Sequence, residues 1–260
     1  MRADVALVSD LRSALQKLLP SVQRIDRQAW LHHIDELKGD SAVRDIQKMP
    51  DSGHLYAAHV IHDLWRETNG NSIVVTDVGQ HQMWEAQYYK HEQPRSLITS
   101  GGLGTMGFAL PAAIGAKFAR PDADVWVVAG DGGFQMTMPE LATSAQEELD
   151  LNIAVINNGY LGMVRQWQEF FYDRRYSETP LLSPDFAKLA EAFGLHGLTV
   201  QSREQVVPAI REARNHRGTT LINFLVEQED SVFPMVPSGA ALNEMIRRPS
   251  PLVETAASEA

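Results

Sequence analysis

Two apolar runs, Asp124 to Ala129 and Leu151 to Ile156, each end on polar residues: Gly130-Asp131-Gly132 after the first and Asn157-Asn158 after the second. Twenty-four residues separate the triplet from the pair. Both runs read as buried parallel strands, so Asp131 and Asn158 arrive at the carboxyl edge of one sheet. Open α/β sheets place their ligands at that edge. The glycines beside Asp131 let backbone amides approach phosphate oxygens closely. One carboxylate, one amide oxygen and a nearby backbone carbonyl suit a hard cation such as magnesium, completed by phosphate oxygens and water. A lone Gly-Asp-Gly reads as a tight turn. Its spacing to a strand-terminal Asn-Asn is what points to a metal and diphosphate site.

The surrounding pattern supports such a sheet. From Ser52 onward the sequence alternates helix His54 to Glu67, strand Ile73 to Thr76, helix Met83 to Tyr89, strand Ser96 to Thr99 and helix Phe108 to Phe118. The strand from Asp124, a helix Thr137 to Glu147 and the strand from Leu151 follow. A helically spaced segment Leu161 to Phe171, helix Asp185 to Phe193, strand Leu198 to Val200, helix Glu204 to Asn215 and strand Thr220 to Glu227 complete it. Repeated βα alternation with apolar strands predicts an α/β fold: a doubly wound parallel sheet with helices on both faces. Ahead of it, Val5 to Val8 reads as a short strand. Ser9 or Asp10 caps a helix that Pro20 stops, and a second helix covers Val22 to Leu37. One strand and two helices close no core, so residues 1–40 read as the tail of a second α/β domain. The charged stretch Lys38 to Asp51 reads as a linker. The expected division is 1–40, linker 41–52, main domain 53–230, C-terminal arm 231–248 and disordered tail 249–260.

Composition excludes several other classes. A formal charge of −10 disfavours nucleic acid and anionic membranes as partners. No apolar run approaches the roughly 20 residues that span a bilayer, and the N-terminus has no signal-peptide pattern. The chain has no cysteine, so thiolate chemistry and cysteine-ligated zinc are ruled out, and a cytoplasmic location is expected. The histidines show no regular ligand spacing and read as packing or surface residues.

Three more segments carry chemistry. Val78-Gly79-Gln80-His81 follows a strand and reads either as a capped helix start or as phosphate-contacting amide and imidazole donors. Gly101 to Gly107, Gly-Gly-Leu-Gly-Thr-Met-Gly, places the bulky Met106 inside a permissive loop, suited to wedging a cofactor. Leu161, Val164, Trp167 and Phe171 have helical spacing, so Trp167 reads as core or as a substrate-pocket wall. Val232 to Gly239 is apolar and stiffened by proline, and reads as a lid or as a packed arm.

With these motifs the chain resembles the C-terminal part of acetohydroxyacid synthase (acetolactate synthase) catalytic subunits, within the thiamine diphosphate enzyme superfamily. Gly-Asp-Gly with Asn-Asn carries the superfamily likeness. Gln80 to Trp84, Gly101 to Gly107, Gly162 to Gln168 and Pro234 to Gly239 carry the family likeness, which runs from Met1 to about Arg248. The resemblance implies a thiamine diphosphate-binding fold of the pyrophosphate-domain type. It makes Asp131, Asn158 and the Tyr160 carbonyl ligands of Mg2+. Gln80, His81 and the amides of Gly132 and Gly133 would hold the diphosphate, with Gly79, Gly104, Gly130, Leu161, Gly162 and Met163 completing the cofactor site. Met106 would prop the bent cofactor and Trp167 would line the acceptor pocket, both counted as catalytic, and Ser238-Gly239 would belong to an arm over the entrance.

The implied substrates are pyruvate and 2-ketobutyrate. The implied partners are an N-terminal pyrimidine-binding domain or subunit carrying the activating glutamate, further copies in a homo-oligomer, and a regulatory subunit. Glu140 lies in the helix behind the metal loop and is not that glutamate. FAD is bound by the family's middle domain, represented here only by its tail to about Leu37, and is therefore a feature of the longer family enzymes. Alternatives are a related 2-ketoacid decarboxylase or carboligase, and a non-catalytic cofactor-fold module. The chain alone is expected not to make acetolactate.

Overall fold

The computed structural model describes residues 3–42, 45–46 and 53–249. The chain divides into two units, 1–45 and 46–260. In the first, helix α1 (Leu11–Leu18) is capped by Asp10, whose carboxylate accepts the Ser13 amide at 3.0 Å. Helix α2 (Gln28–Ala42) begins later than its apolar spacing suggests, because Asp26 accepts the Gln28 amide at 3.0 Å and fixes the start. It also runs on through Ala42, past Leu37 and into the expected linker. Val5 to Val8, expected as a strand, is irregular. No described strand pairs with it, and an unpaired strand leaves its amides and carbonyls unsatisfied. The rest of the expected linker, apart from Asp45 and Ile46, and the tail beyond Pro249 lie outside the described residues.

The second unit is a six-stranded, fully parallel sheet in the order β2-β1-β3-β4-β6-β5. Its elements are α3 (Ala57–Thr68), β1 (Ile73–Thr76), α4 (Gln80–Tyr88), β2 (Leu97–Thr99), α5 (Ala109–Ala119), β3 (Val125–Gly130), α6 (Asp131–Thr137) and α7 (Leu141–Gln146). Then follow β4 (Asn152–Asn157), α8 (Gly162–Phe171), α9 (Phe186–Ala192), β5 (His196–Val200), α10 (Arg203–Asn215) and β6 (Thr220–Leu225). Strand residues alternate between two cores. Val74, Trp126, Val128, Ala154, Ile156, Ile222 and Phe224 pack toward α3 and α10. Val75, Val127, Ala129, Ile153, Val155 and Leu221 pack toward α5, α7 and α9. Burial on both faces explains why the strands read as unbroken apolar runs.

The main departure from the sequence pattern lies behind β3. Instead of a loop and then one helix from Thr137 to Glu147, the chain turns helical at Asp131. It tightens to a 3₁₀ turn over Met138–Glu140, where Pro139 sits at the start of the turn, and resumes as α7. Glycine is a poor helix former, but here contact decides the matter. A side chain at Gly132 would strike Leu161 and Leu181, and one at Gly133 would strike the Asp77 carboxylate.

Asp77, just past β1, pins this region. Its Oδ1 accepts the amides of Val78 at 2.9 Å and Gly107 at 3.0 Å, and its Oδ2 accepts that of Ala109 at 3.0 Å. Its own amide donates to Val128 in β3. The carboxylate, 1% exposed, thereby joins the end of β1 to the start of α5. Asp77→Ala leaves three amides without an acceptor and is expected to cost about 3–5 kcal/mol, at about 1–3 kcal/mol per buried orphan donor with partial relaxation. Urea unfolding at constant slope checks this. A loss below about 1 kcal/mol would mean that the loop is held by something else.

Candidate functional site

β1 and β3 are neighbours, yet the chain leaves β1 toward β2 on one side and leaves β3 toward β4 on the other. Connections from adjacent strands diverge here, opening a crevice at the carboxyl edge. The cavity over it is lined by Val78, Gly79, Gln80, His81 and Trp84 from the β1 side, Gly130 to Gly133 from the β3 side, and Ile156, Asn158 and Tyr160 to Val164 from the β4 side, with Met106 from the glycine-rich loop. Almost all the residues singled out in the sequence therefore meet in one place. Of the cofactor-site and acceptor-pocket residues named above, two do not line this cavity. Gly104 is an exposed loop residue with φ +66° near Val78. Trp167 is 45% exposed and shares a separate apolar hollow with Phe171, Tyr172, Met235, Val236 and Ser238.

Asp131 opens α6 and is 1% exposed. Burial pushes its carboxyl up to about 6, while hydrogen bonds from Ser183 and from the backbone at Asp131, Gly132 and Gly159 pull the other way. Ser183 Oγ donates to Oδ2 at 2.7 Å. The sequence reading missed Ser183. It arrives because residues 179–181 run antiparallel to 159–161, with the Leu161 amide donating to Thr179 and the Leu181 amide to Gly159, both at 2.8 Å. A carboxylate made reluctant to ionise by burial gains most from a cation beside it.

His81 faces Gly130 and Gly79 edge-on, and a Cβ at Gly130 would lie 2.9 Å from the imidazole. Burial depresses its pKa to about 4, opposed by the charge of Asp77 and a hydrogen bond to the Asp77 backbone. The ring is neutral in the physiological range, and Nε2 has no partner. Anionic oxygens placed against Nε2 would oppose the burial penalty.

Asn157 and Asn158 diverge in use. Asn157 donates to Asn223 Oδ1 at 3.1 Å and accepts the Gly159 amide at 3.2 Å, closing the turn after β4. Asn158 donates to Gln80 Oε1 at 3.2 Å and accepts the Tyr160 amide at 3.1 Å. Gln80 differs from the sequence reading. Its Nε2 donates to Gln166 Oε1 at 2.8 Å and to the Asp230 carbonyl at 3.1 Å, so both side-chain N–H groups are committed within the protein. What Gln80 can offer an anion is its backbone amide, at the first position of α4 behind Gly79, where no side chain caps the helix.

Comparison with known proteins gives this geometry a context. Residues 77–224 match the family described as "Thiamine pyrophosphate enzyme, C-terminal TPP binding domain". The chain is similar to the acetolactate synthase of Mycobacterium leprae, 44% identical over 94% of this chain and 40% of that protein. It is also similar to the acetolactate synthase isozyme 2 large subunit of Escherichia coli, 41% identical over 95% of this chain and 44% of that protein. The acetolactate synthase large subunit of Lactococcus lactis is 40% identical over 95% of this chain and 42% of its own length. The chain thus spans about two fifths of the length of these curated relatives. The matched residues begin at Asp77, just past β1, and take in the ends of β3 and β4 that carry Asp131 and Asn158, and the chain belongs to the thiamine pyrophosphate enzymes, whose C-terminal TPP binding domain it carries.

Proposed function

We propose that this chain is the thiamine diphosphate- and magnesium-binding portion of an acetolactate synthase. Such an enzyme condenses two pyruvates, or pyruvate and 2-ketobutyrate, with loss of CO2, in branched-chain amino acid synthesis. The observation that carries the proposal is the buried Asp131, its carboxyl raised by burial, lining one cavity with Asn158. Likeness to acetolactate synthases along 94–95% of the chain supports the choice of reaction. Among the described residues no helix is long and apolar enough to cross a membrane. A cytoplasmic site of action belongs to the same proposal.

The residues present fit the group. Asp131 Oδ, Asn158 Oδ1 and the Tyr160 carbonyl form an all-oxygen donor set of the kind magnesium takes while keeping phosphate and water ligands. Gly130, Gly132 and Gly133 line the cavity without side chains, so the wall there is main chain, and the orphan Nε2 of His81 lies in the same wall. When bound, thiamine diphosphate supplies the electron sink for decarboxylation and carbon–carbon bond formation. The protein's part is to hold and orient. Asp131 and Asn158 would fix the metal, the backbone amides at Gln80, Gly132 and Gly133 would meet the diphosphate, and Met106 would prop the cofactor from the side facing Gly132. Trp167, with Phe171 and Met235, would wall the place where the second 2-ketoacid enters.

An activating glutamate would come from an N-terminal pyrimidine-binding portion. Glu140 is unsuited to that task, being turned back to accept from Thr143 Oγ1 at 2.9 Å. A homo-oligomer and a regulatory subunit belong to the same proposal, as does FAD in the longer enzymes. Pyruvate turnover by this chain, alone and then with a separately supplied N-terminal portion, is the direct test. Acetolactate is expected only in the second case, and its absence in both would count against the assignment.

Asp131→Asn is expected to split stability from binding. In the metal-free chain the carboxyl titrates near 6 rather than its ordinary 3.8, so ionisation costs stability progressively as pH rises from about 4 to about 6 and fully above that. The amide avoids this cost. At pH 7.5 the metal-free variant should be more stable by about 2–3 kcal/mol, at about 1.4 kcal/mol per pKa unit, with the advantage gone below pH 4. Calorimetry should show Mg2+-dependent cofactor binding abolished. A variant that binds normally sinks the metal assignment.

For Trp167→Leu, competition between pyruvate and 2-ketobutyrate is the relevant assay on the assembled enzyme. Loss of an aromatic wall should shift the product ratio by about tenfold, within the roughly 1–3 kcal/mol that such pockets discriminate. Total pyruvate consumption should change much less. An unaltered ratio would make the residue a packing element of the C-terminal arm.

A further inference from the structure

A line of three side-chain amides runs from the C-terminal arm to Asn158. Gln166, fully buried in α8, pairs with the Val232 backbone in both directions: its Nε2 donates to the Val232 carbonyl at 2.9 Å, and its Oε1 accepts the Val232 amide at 2.8 Å. The same Oε1 accepts from Gln80 Nε2, and Gln80 Oε1 accepts from Asn158 Nδ2. At the far end Asn158 Oδ1 accepts the Tyr160 amide.

An amide can be turned end for end, and each link forbids it. Flipping Gln166 would set its NH2 against the Val232 N–H and its oxygen against the Val232 carbonyl. Flipping Gln80 would oppose oxygen to oxygen at Gln166, and flipping Asn158 would oppose NH2 to the Tyr160 N–H. The polarity of the whole line is therefore set by the backbone at its two ends. Gly162 makes room for it, since any side chain there would strike Gln80 Oε1 and Asn158 Nδ2.

We propose that Gln166 is a positioning residue for the metal site: through Gln80 it holds the Asn158 amide with its oxygen turned toward the metal position, and it makes that orientation depend on the docked segment 230–232. The inference rests on the reading of Asn158 as a magnesium ligand. Gln166 touches neither cofactor nor substrate in this scheme. Its effect is exerted entirely through another side chain, as outer-shell partners of metal ligands act.

The test is a double-mutant cycle on Mn2+ affinity, read by electron paramagnetic resonance on the full chain with excess thiamine diphosphate. Gln166→Leu should weaken Mn2+ binding by about tenfold, at the low end of the 10–100-fold found for outer-shell partners. Asn158→Ala should weaken it further, and the double variant should bind no more weakly than Asn158→Ala alone. Additive losses in the double variant would make Gln166 a structural residue and overturn the proposal, as would unchanged affinity in Gln166→Leu. If Gln166→Leu does not fold, Gln80→Leu breaks the same line from the other side and enters the same cycle with the same expectations. Failure of the underlying reading has a different signature: Asn158→Ala alone would then leave Mn2+ affinity unchanged, or the unaltered chain would show no cofactor-dependent binding.

Discussion

Three amides converging on one buried carboxylate hold together the end of the sheet where the site is built. Asp77 takes the Val78, Gly107 and Ala109 amides, and in doing so fixes the end of β1, the glycine-rich loop with Met106, and the start of α5. Gly133 must stay without a side chain to pass it. Asp131 follows the next strand over and is buried to the same 1% exposure. Ser183 and the backbone at Asp131, Gly132 and Gly159 supply its hydrogen bonds, yet burial still pushes its carboxyl up to about 6. On the reading proposed above, Asp131 is the acid whose burial a cation would offset, while Asp77 serves the main chain around it.

Legibility from sequence followed the range of the interactions. Strand β1 was readable in full from Ile73 to Thr76, and the cap at Asp10, which accepts the Ser13 amide at 3.0 Å, was readable because it is local. Asp131 and Asn158 stood out as polar residues closing apolar runs. Ser183 did not, since it meets Asp131 across fifty-two positions of chain and nothing in its neighbourhood marks it. Asp77 could have been found: like Asp131, it ends an apolar run and is followed within two residues by glycine. The start of α6 was misplaced because its glycines argue against a helix, whereas close packing against Asp77, Leu161 and Leu181 requires them there. The expected strand at Val5 to Val8 failed for want of a partner, which no local pattern can supply.

The C-terminal arm is anchored by polar contacts as well as by Val232, which is buried in the core shared with α3 and α10. Arg165, fully buried, donates to the Asp230 carbonyl at 2.8 Å and to Ser231 Oγ at 3.1 Å, and pairs with Glu169 at 2.9 Å. Arg248 returns to Asp230 at 3.0 Å and lies 5.1 Å from the centre of the Phe233 ring. Burial raises the Asp230 carboxyl, with Arg248 and Arg165 opposing. Further along the arm, Met235 and Val236 line the hollow beside Trp167. Anchoring and pocket-forming are thus divided between adjacent stretches of the same arm.

The pairing of Gln166 with Val232 imitates the exchange of hydrogen bonds between neighbouring β-strands, but with a side chain standing in for the second strand. The two clasp bonds read main chain, although Gln166 Nε2 also lies 3.5 Å from Met235 Sδ. The sequence at position 232 is therefore constrained by burial and by the need for an N–H, which excludes proline and little else of similar size. Held this way, the arm keeps its register through main-chain bonds in which the side chain of Val236 has no share. On the reading proposed above, a change at Val236, which lines the hollow beside Trp167, would alter acceptor preference and leave the main-chain bonds of the clasp in place.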